Sequence, residues 1–249
     1  MLALAGAATV DPDAQSGTRI CRRTCQPTST PSTPTALPAD HTIPRVVRRL
    51  RYVVDGKLDM RLLDVAEGTD LARGVDGLAG FTRTALGLHT DRSLEADAPS
   101  LLATMVISPA ARGGHTLLVD GAQVLTELRR YFPLLAITSH LRLRTRDGTM
   151  IPVVEMLDGF VKMRFRDDKV AAPVGATGER AILDALRALV STAAKLRQDA
   201  GCGYILHNHR YLHGRSSFAG GRLLVRMLAR VSDGHALSWL NKGFRVESP

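Results

Sequence analysis

The chain has 249 residues, is 45% hydrophobic and carries a formal net charge of +9. That is enough for one globular domain with a real core, or a domain plus a tail. Aromatic residues make up only 4%, with Trp239 the sole tryptophan, which argues against the stacking platforms of single-strand nucleic-acid binders. The basic residues are mostly arginines scattered through apparent strands and helices, with no nucleic-acid motif beside them. We therefore expect a small polar or anionic partner rather than nucleic acid, an arginine-rich composition being an equally good source of the charge. Cys21, Cys25 and Cys202 are an odd set, with two in a low-complexity stretch, and so do not form a disulfide framework. The C-x-x-x-C spacing also lacks a second pair for zinc. The start, Met1 to Ala8, is apolar but short and has no positive region before it. It reads neither as a signal peptide nor as a membrane span, so cytoplasmic residence without membrane association is the expectation.

In chain order, residues 1–42 read as a disordered tail, because the Gln26–Thr35 stretch is rich in Ser, Thr and Pro and has no apolar period. Residues 43–249 read as one domain. Val46 to Val54 has strand character and ends at the Asp55-Gly56 turn. Leu101 to Ile107 is an apolar run of strand length stopped by Pro109. Gly113-Gly114 makes a turn, and Thr116 to Val119 is a second strand ending at Asp120-Gly121. Ala122 to Tyr131 reads as a helix with Val124, Leu125 and Leu128 on one face, closed by Pro133. His140 to Arg144 and Val161 to Arg166 alternate as half-buried strands do. One long helix is predicted from an N-cap at Thr177 to about Gln198, with Ile182, Leu183, Leu186, Leu189, Val190, Ala193 and Leu196 as its core stripe. Tyr204 to Leu206 starts a strand leading to His213, and Leu223 to Val231 is the last strand. Many short strands with few helices give a mainly β chain of the α/β class, built as a barrel or jelly roll with flanking helices.

Three residues carry the chemistry. His89 and Asp91 stand two apart in Gly87-Leu88-His89-Thr90-Asp91, and His213 lies far downstream. In a strand, positions two apart face the same side, so one strand can offer His89 and Asp91 to an ion while a second offers His213. Two imidazoles and one carboxylate on one face of a metal are the facial triad of non-haem Fe(II) oxygenases. An H-x-D pair taken alone is commonly just two surface residues, and His213 taken alone reads equally as a satisfied core histidine.

The residues around the triad narrow the reading. His213-Gly214-Arg215-Ser216-Ser217-Phe218 is followed by Arg222 and Arg226. Gly87 to Asp91, Gly113-Gly114-His115-Thr116 and Asn208-His209-Arg210 precede it in order. Together these resemble the signatures of the taurine dioxygenase and clavaminate synthase superfamily over roughly Leu86 to Arg230. The resemblance implies a double-stranded β-helix (jelly-roll) core and an Fe(II)- and 2-oxoglutarate-dependent oxygenase that consumes O2. It implies that His89, Asp91 and His213 bind the iron and act as the catalytic set. It implies too that Arg222, as a planar fork suited to a carboxylate, binds 2-oxoglutarate with the Thr116 hydroxyl. Arg226, four residues further along the same strand face, is the expected substrate-binding residue, with a structural barrel-lining role as the alternative. Arg215 either orients the loop after His213 or is solvated. His207 and His209 share strand parity with His213 and read as structural. His115 stands where the family has an acidic residue. Because Asp91 keeps its carboxylate, hydroxylation, desaturation or cyclisation is expected rather than halogenation. The H-G-R-x-x-F form leans toward hydroxylases of amino acids and related small amines, possible members of secondary metabolism. Alternatives that stay open are a catalytically inactive barrel serving as a scaffold and a desaturase or cyclase of the same family. The oligomeric state is not readable.

Overall fold

The computed structural model describes residues 80–175 and 180–246, together with the backbone of 7–8, 59–65 and Ala79. The expected strand at Val46 to Val54, the N-cap at Thr177 and almost all of the expected tail lie outside the described residues.

The strands in chain order are β1 (Ala7–Ala8), β2 (Asp59–Val65), β3 (Leu86–His89), β4 (Leu101–Ser108), β5 (Arg112–Gly113) and β6 (Thr116–Asp120). Helices α1 (Gly121–Arg129) and α2 (Leu134–His140) follow, then β7 (Arg142–Thr145), β8 (Met150–Pro152), β9 (Val154–Leu157), β10 (Phe160–Met163) and β11 (Ala171–Val174). Helix α3 (Arg180–Val190) leads to β12 (Ala194–Leu196), β13 (Gly203–His207), β14 (Tyr211–Arg215), β15 (Phe218–Ala219) and β16 (Arg222–Ala229). The architecture is thus mainly β, with three α-helices among the described residues.

Two sheets matter for function. One has the order β1-β13-β4-β16-β2, the other β12-β6-β14-β3. They share an apolar cluster in which Leu102, Leu206 and Leu228 of the first sheet meet Tyr211 and Leu118 of the second. The outer side of the four-stranded sheet is covered by the helices. Leu212 of β14 joins Leu125 and Leu128 of α1, Ile137 of α2 and Ile182 and Leu186 of α3 in the largest core. Period-2 alternation in β14 therefore sends Leu212 to the helices and its neighbours Tyr211 and His213 between the sheets. Every residue of β14 is buried, so no apolar alternation marks the strand in the sequence.

Local chemistry explains the element ends. Asp120 caps α1 through its side chain, which accepts from the Ala122 N–H at 2.9 Å, and Val124, Leu125 and Leu128 form its buried face as expected. Pro133 closes that helix and also opens another. With φ at −57° it stands as the N-cap of α2, so the predicted strand at His140 begins only at Arg142. The predicted long helix stops at Val190. There the Ser191 and Thr192 hydroxyls bond back to the Ala188 and Leu189 carbonyls at 2.6 and 2.7 Å, competing with helix propagation. Ala194–Leu196 then pairs with Leu118–Thr116 of β6, and ladder hydrogen bonds at a sheet edge override the helical period. No helix among the described residues is long and apolar enough to cross a membrane.

His207 and His209 do not continue the strand of His213. A turn at Asn208–Arg210 separates β13 from β14 and places them in different sheets. The buried His207 ring donates Nε2–H to the Leu240 carbonyl at 2.9 Å. Burial lowers its pKa to about 4, and burial followed by the neighbouring His207, Lys162 and Arg164 lowers that of His209 as well. Both rings fold as neutral groups. Protons then bind the unfolded chain first as pH falls below the ordinary histidine value of about 6.5. Stability should be full above pH about 6.5 and should decline as pH drops toward about 4. Chemical denaturation at pH 7 and pH 4.5 reads the loss, and His207→Gln should flatten part of it. A slope unchanged by that substitution would show that His207 is not folded neutral.

Candidate metal centre

His89 is the last residue of β3 and His213 the central residue of β14, and the two face each other in the antiparallel register. Their rings lie 4.5 Å apart. Gly214 permits this approach, since a Cβ there would meet the Leu86 carbonyl oxygen at 2.7 Å, and the register shifts between His213 and Arg215. Asp91 is not on the strand, as the sequence had led us to expect. β3 ends at His89, and Asp91 sits in the following turn.

Asn208 positions that turn. Its side-chain carbonyl accepts from the Asp91 N–H at 2.8 Å, and its amide donates to the Asp91 and Pro99 carbonyls at 2.9 and 2.8 Å. Thr90 adds a second tie, with its N–H on the Phe165 carbonyl at 2.9 Å and its hydroxyl accepting from the Phe165 N–H at 3.2 Å. Two residues after Asn208, Arg210 forks onto Asp120 at 2.8 and 2.7 Å. The β13–β14 turn is thus bolted to the α1 cap on one side and to Asp91 on the other.

The three side chains converge. His89 Nε2 is 3.4 Å from Asp91 Oδ1, and His213 Nε2 is 3.5 Å from Asp91 Oδ2. One ligand atom from each residue falls within 4.8 Å of the others. Ligands about 2.1 Å from a shared ion and at right angles lie about 3 Å apart, so the observed spacing fits a metal. Tautomers fit as well. His89 Nδ1–H reaches the Gly87 carbonyl at 2.9 Å, leaving the Nε2 lone pair toward the cavity. The buried Nδ1 of His213 has no hydrogen-bond partner among the described residues. Burial, aided by the charge of His89, lowers the His213 pKa and keeps the ring neutral as a ligand must be. Burial pushes the Asp91 carboxyl up, but His213, His89 and Arg226 outweigh it and hold the group well below the usual carboxylate range.

The remaining predicted residues line the same cavity of about 350 Å³. Arg226 approaches Asp91 with two nitrogens: Nη2 meets Oδ1, and Nε lies 3.2 Å from Oδ2. Its guanidinium thus balances the carboxylate. Arg222 is 9% exposed and has no carboxylate partner among the described residues. Its guanidinium lies 5.9 Å from the Phe218 ring centroid, and burial lowers its pKa. Thr116 is buried and donates its hydroxyl to Gln198 Oε1 at 2.9 Å. Arg215 does not point to solvent. It ties the entry loop by donating to the carbonyls of Gly80, Thr82 and Thr84 at 3.2, 2.6 and 2.6 Å. The burial of that guanidinium and the nearby Arg222 lower its pKa to about 10. Three residues escaped functional assignment from sequence: Asn208, Tyr204 and Thr104. Asn208 stood in a motif without a role. Tyr204 and Thr104 are ordinary strand residues whose facing only the sheet register reveals.

Two histidines and a carboxylate line one cavity together with a buried arginine that has no carboxylate partner among the described residues, a donor set that could hold a single metal ion as a facial triad does. The chain belongs to the taurine catabolism dioxygenase TauD, TfdA family, matching it over residues 61–228. Solved structures agree on the fold. PvcB from Pseudomonas aeruginosa is 19% identical, with 79% of this chain and 73% of that one aligned and a TM-score of 0.57. Asparagine oxygenase in complex with Fe(II), 2S,3S-3-hydroxyasparagine and succinate is 17% identical, aligned over 68% of this chain with a TM-score of 0.50. The non-heme iron oxygenase OrfP in complex with Fe and alpha-ketoglutaric acid is 17% identical, with 75% and 62% of the two chains aligned and a TM-score of 0.50. The chain spans 56% of the length of that asparagine oxygenase. A search of curated proteins gives no match.

Removing the Asn208 clamp should loosen Asp91 without touching a ligand atom. Asn208→Ala is expected to weaken Fe(II) or Mn(II) binding by about 10- to 100-fold, as loss of a ligand's supporting hydrogen bonds does. Metal titration followed by calorimetry checks this. Unchanged affinity in a folded variant would show that Asp91 is held by other means.

Proposed function

We propose that this protein is an Fe(II)- and 2-oxoglutarate-dependent oxygenase that hydroxylates a small, amino-acid-like substrate, with residues 43–249 as its double-stranded β-helix domain. The observation that carries the proposal is the pairing of two features in one cavity. A His89–Asp91–His213 donor set has the spacing of a facial triad, and an arginine, Arg222, is buried without a carboxylate partner among the described residues. A lone buried guanidinium is costly unless a ligand answers it. The dianionic co-substrate has a carboxylate at each end, one suited to the metal and one to Arg222. The cavity, at about 350 Å³, falls in the usual range of about 300–1,000 Å³ for small-molecule sites.

Each residue then has a task. His89 and His213 offer neutral nitrogens, and Asp91 offers an ionised oxygen. Iron bound there with 2-oxoglutarate and O2 supplies the oxidising chemistry, which is the cofactor's own. Arg222 orients the co-substrate by a planar fork at its far end. Arg226 offsets the Asp91 charge and stands at the cavity face where an anionic substrate group is received. Arg215 closes the cavity edge by holding residues 80–84, which limits water at the site. An amino-acid-like substrate is supported by the relatives: the structures of asparagine oxygenase and OrfP hold 2S,3S-3-hydroxyasparagine and (3S)-hydroxy-L-Arg. The cationic cavity suits a carboxylate-bearing molecule. Hydroxylation is preferred over halogenation because Asp91 occupies the position that a halide would need.

Purified protein supplied with Fe(II), O2 and 2-oxoglutarate should release succinate, more so with an amino-acid panel. Asp91→Ala should abolish this release. Arg222→Ala should raise the 2-oxoglutarate concentration needed by about a hundredfold, since a buried carboxylate loses its charged partner. Product mass assigns the outcome: hydroxylation adds an oxygen atom, whereas desaturation removes two hydrogens. Full succinate release by Asp91→Ala would remove the triad from the reaction.

A further inference from the structure

The cavity wall contributed by the five-stranded sheet carries a polar row in which two members, Tyr204 and Thr104, have no task in the reading above. Tyr204 of β13 lies directly across from Thr104 of β4, and Thr104 across from Arg226 of β16. Tyr204, Thr104, Arg222 and Arg226 all line the cavity that holds the triad, so the row faces the site. Thr104 Oγ1 neighbours the phenol of Tyr204 but, among the described residues, is buried without a hydrogen bond of good geometry, a costly state for a hydroxyl. The phenol in turn lies within electrostatic reach of Arg222, whose charge it influences. Burial pushes the Tyr204 pKa above its ordinary value, so the group remains an O–H donor at neutral pH.

Thr116 poses the complementary problem. A carboxylate bound by Arg222 wants further donors, and a hydroxyl has a single proton. Thr116 directs its proton to Gln198 Oε1. A hydroxyl donor from the opposite sheet would fill that gap.

We propose that Tyr204 binds the co-substrate: its phenolic O–H, steadied by Thr104, donates to the far carboxylate of 2-oxoglutarate on Arg222. This rests on the oxygenase reading above. Tyr204 does not serve the metal-chelating end of the molecule, which lies at the triad. It does not serve the prime substrate either, and both rival placements are separated by the choice of probe.

The test is anaerobic calorimetric titration of the Fe(II)-loaded full chain with 2-oxoglutarate and with pyruvate. Pyruvate has the same 2-oxo acid end and no far carboxylate. Wild type should bind 2-oxoglutarate the more tightly. Tyr204→Phe should weaken 2-oxoglutarate about tenfold, the scale of one hydrogen bond to a charged group, and leave pyruvate unchanged. Thr104→Val should shift 2-oxoglutarate in the same direction by less, and it carries the test if Tyr204→Phe does not fold. Unchanged 2-oxoglutarate affinity in the folded variants overturns the inference and assigns Tyr204 to the prime substrate or to the scaffold. Equal weakening of both probes overturns it as well, because the effect would then lie at the metal end or in the fold. If wild type binds neither probe, the oxygenase reading fails and this inference with it, a result distinct from a wild type that binds and a Tyr204→Phe that binds equally well.

Discussion

The site depends on one buried amide. Asn208 uses its carbonyl and amide group to hold the backbone of Asp91 from both sides and to reach Pro99 as well. It sits in the β13–β14 turn, five positions before His213. Because the same turn is fixed to the α1 cap through Arg210 and Asp120, the position of Asp91 relative to His213 follows from a short chain of buried polar contacts. A side-chain amide is well suited to this role. It presents a donor and an acceptor together, as a strand edge does, and can stand in for a missing backbone partner where β3 has already ended. Without it, the turn after His89 would keep only the Thr90–Phe165 tie and the Arg226 contact to place Asp91.

A second constraint is electrostatic. The cavity gathers Arg92, Arg166, Arg215, Arg222 and Arg226 against two carboxylates, Asp91 and Glu95, and Arg92 pairs with Glu95. Arg226 balances Asp91, and backbone carbonyls take up Arg215. Arg222 is left with an aromatic face and no anion of its own among the described residues. Such an arrangement destabilises the empty protein a little and favours an anionic occupant, which is how a binding site differs from a core. Neutral His213 and ionised Asp91 arise from the same surroundings. Burial disfavours a positive charge on the imidazole, while His213, His89 and Arg226 around the carboxylate favour its negative one.

Much of this was legible in the sequence, and the failures have identifiable causes. β4, β6, α1 and β16 were found where apolar runs meet Pro, Gly or Asp signals, because those residues act locally on the backbone. The long helix to Gln198 was overextended because a helical stripe and a sheet-edge strand look alike over a few residues. Only pairing with β6 decided for the strand at Ala194–Leu196. β13 and β14 were read as one strand since both faces of β14 are buried and nothing in its composition marks a break. Strand parity therefore gave a false link from His207 and His209 to His213.

What the sequence determined by itself was the set of candidate donors: two histidines, a carboxylate and the arginines after them, in the order of the family's signatures. Side-chain identity sets which metal and which co-substrate end can be bound, and that information is local. The tertiary structure decided how those groups are held. It moved Asp91 from strand to turn and gave Asn208 its task. It also faced Arg226 onto Asp91 and brought Tyr204 and Thr104 into the same cavity as Arg222. These are contacts between residues about a hundred positions apart or across sheet neighbours, fixed by register and packing, and no short-range pattern in a chain encodes them.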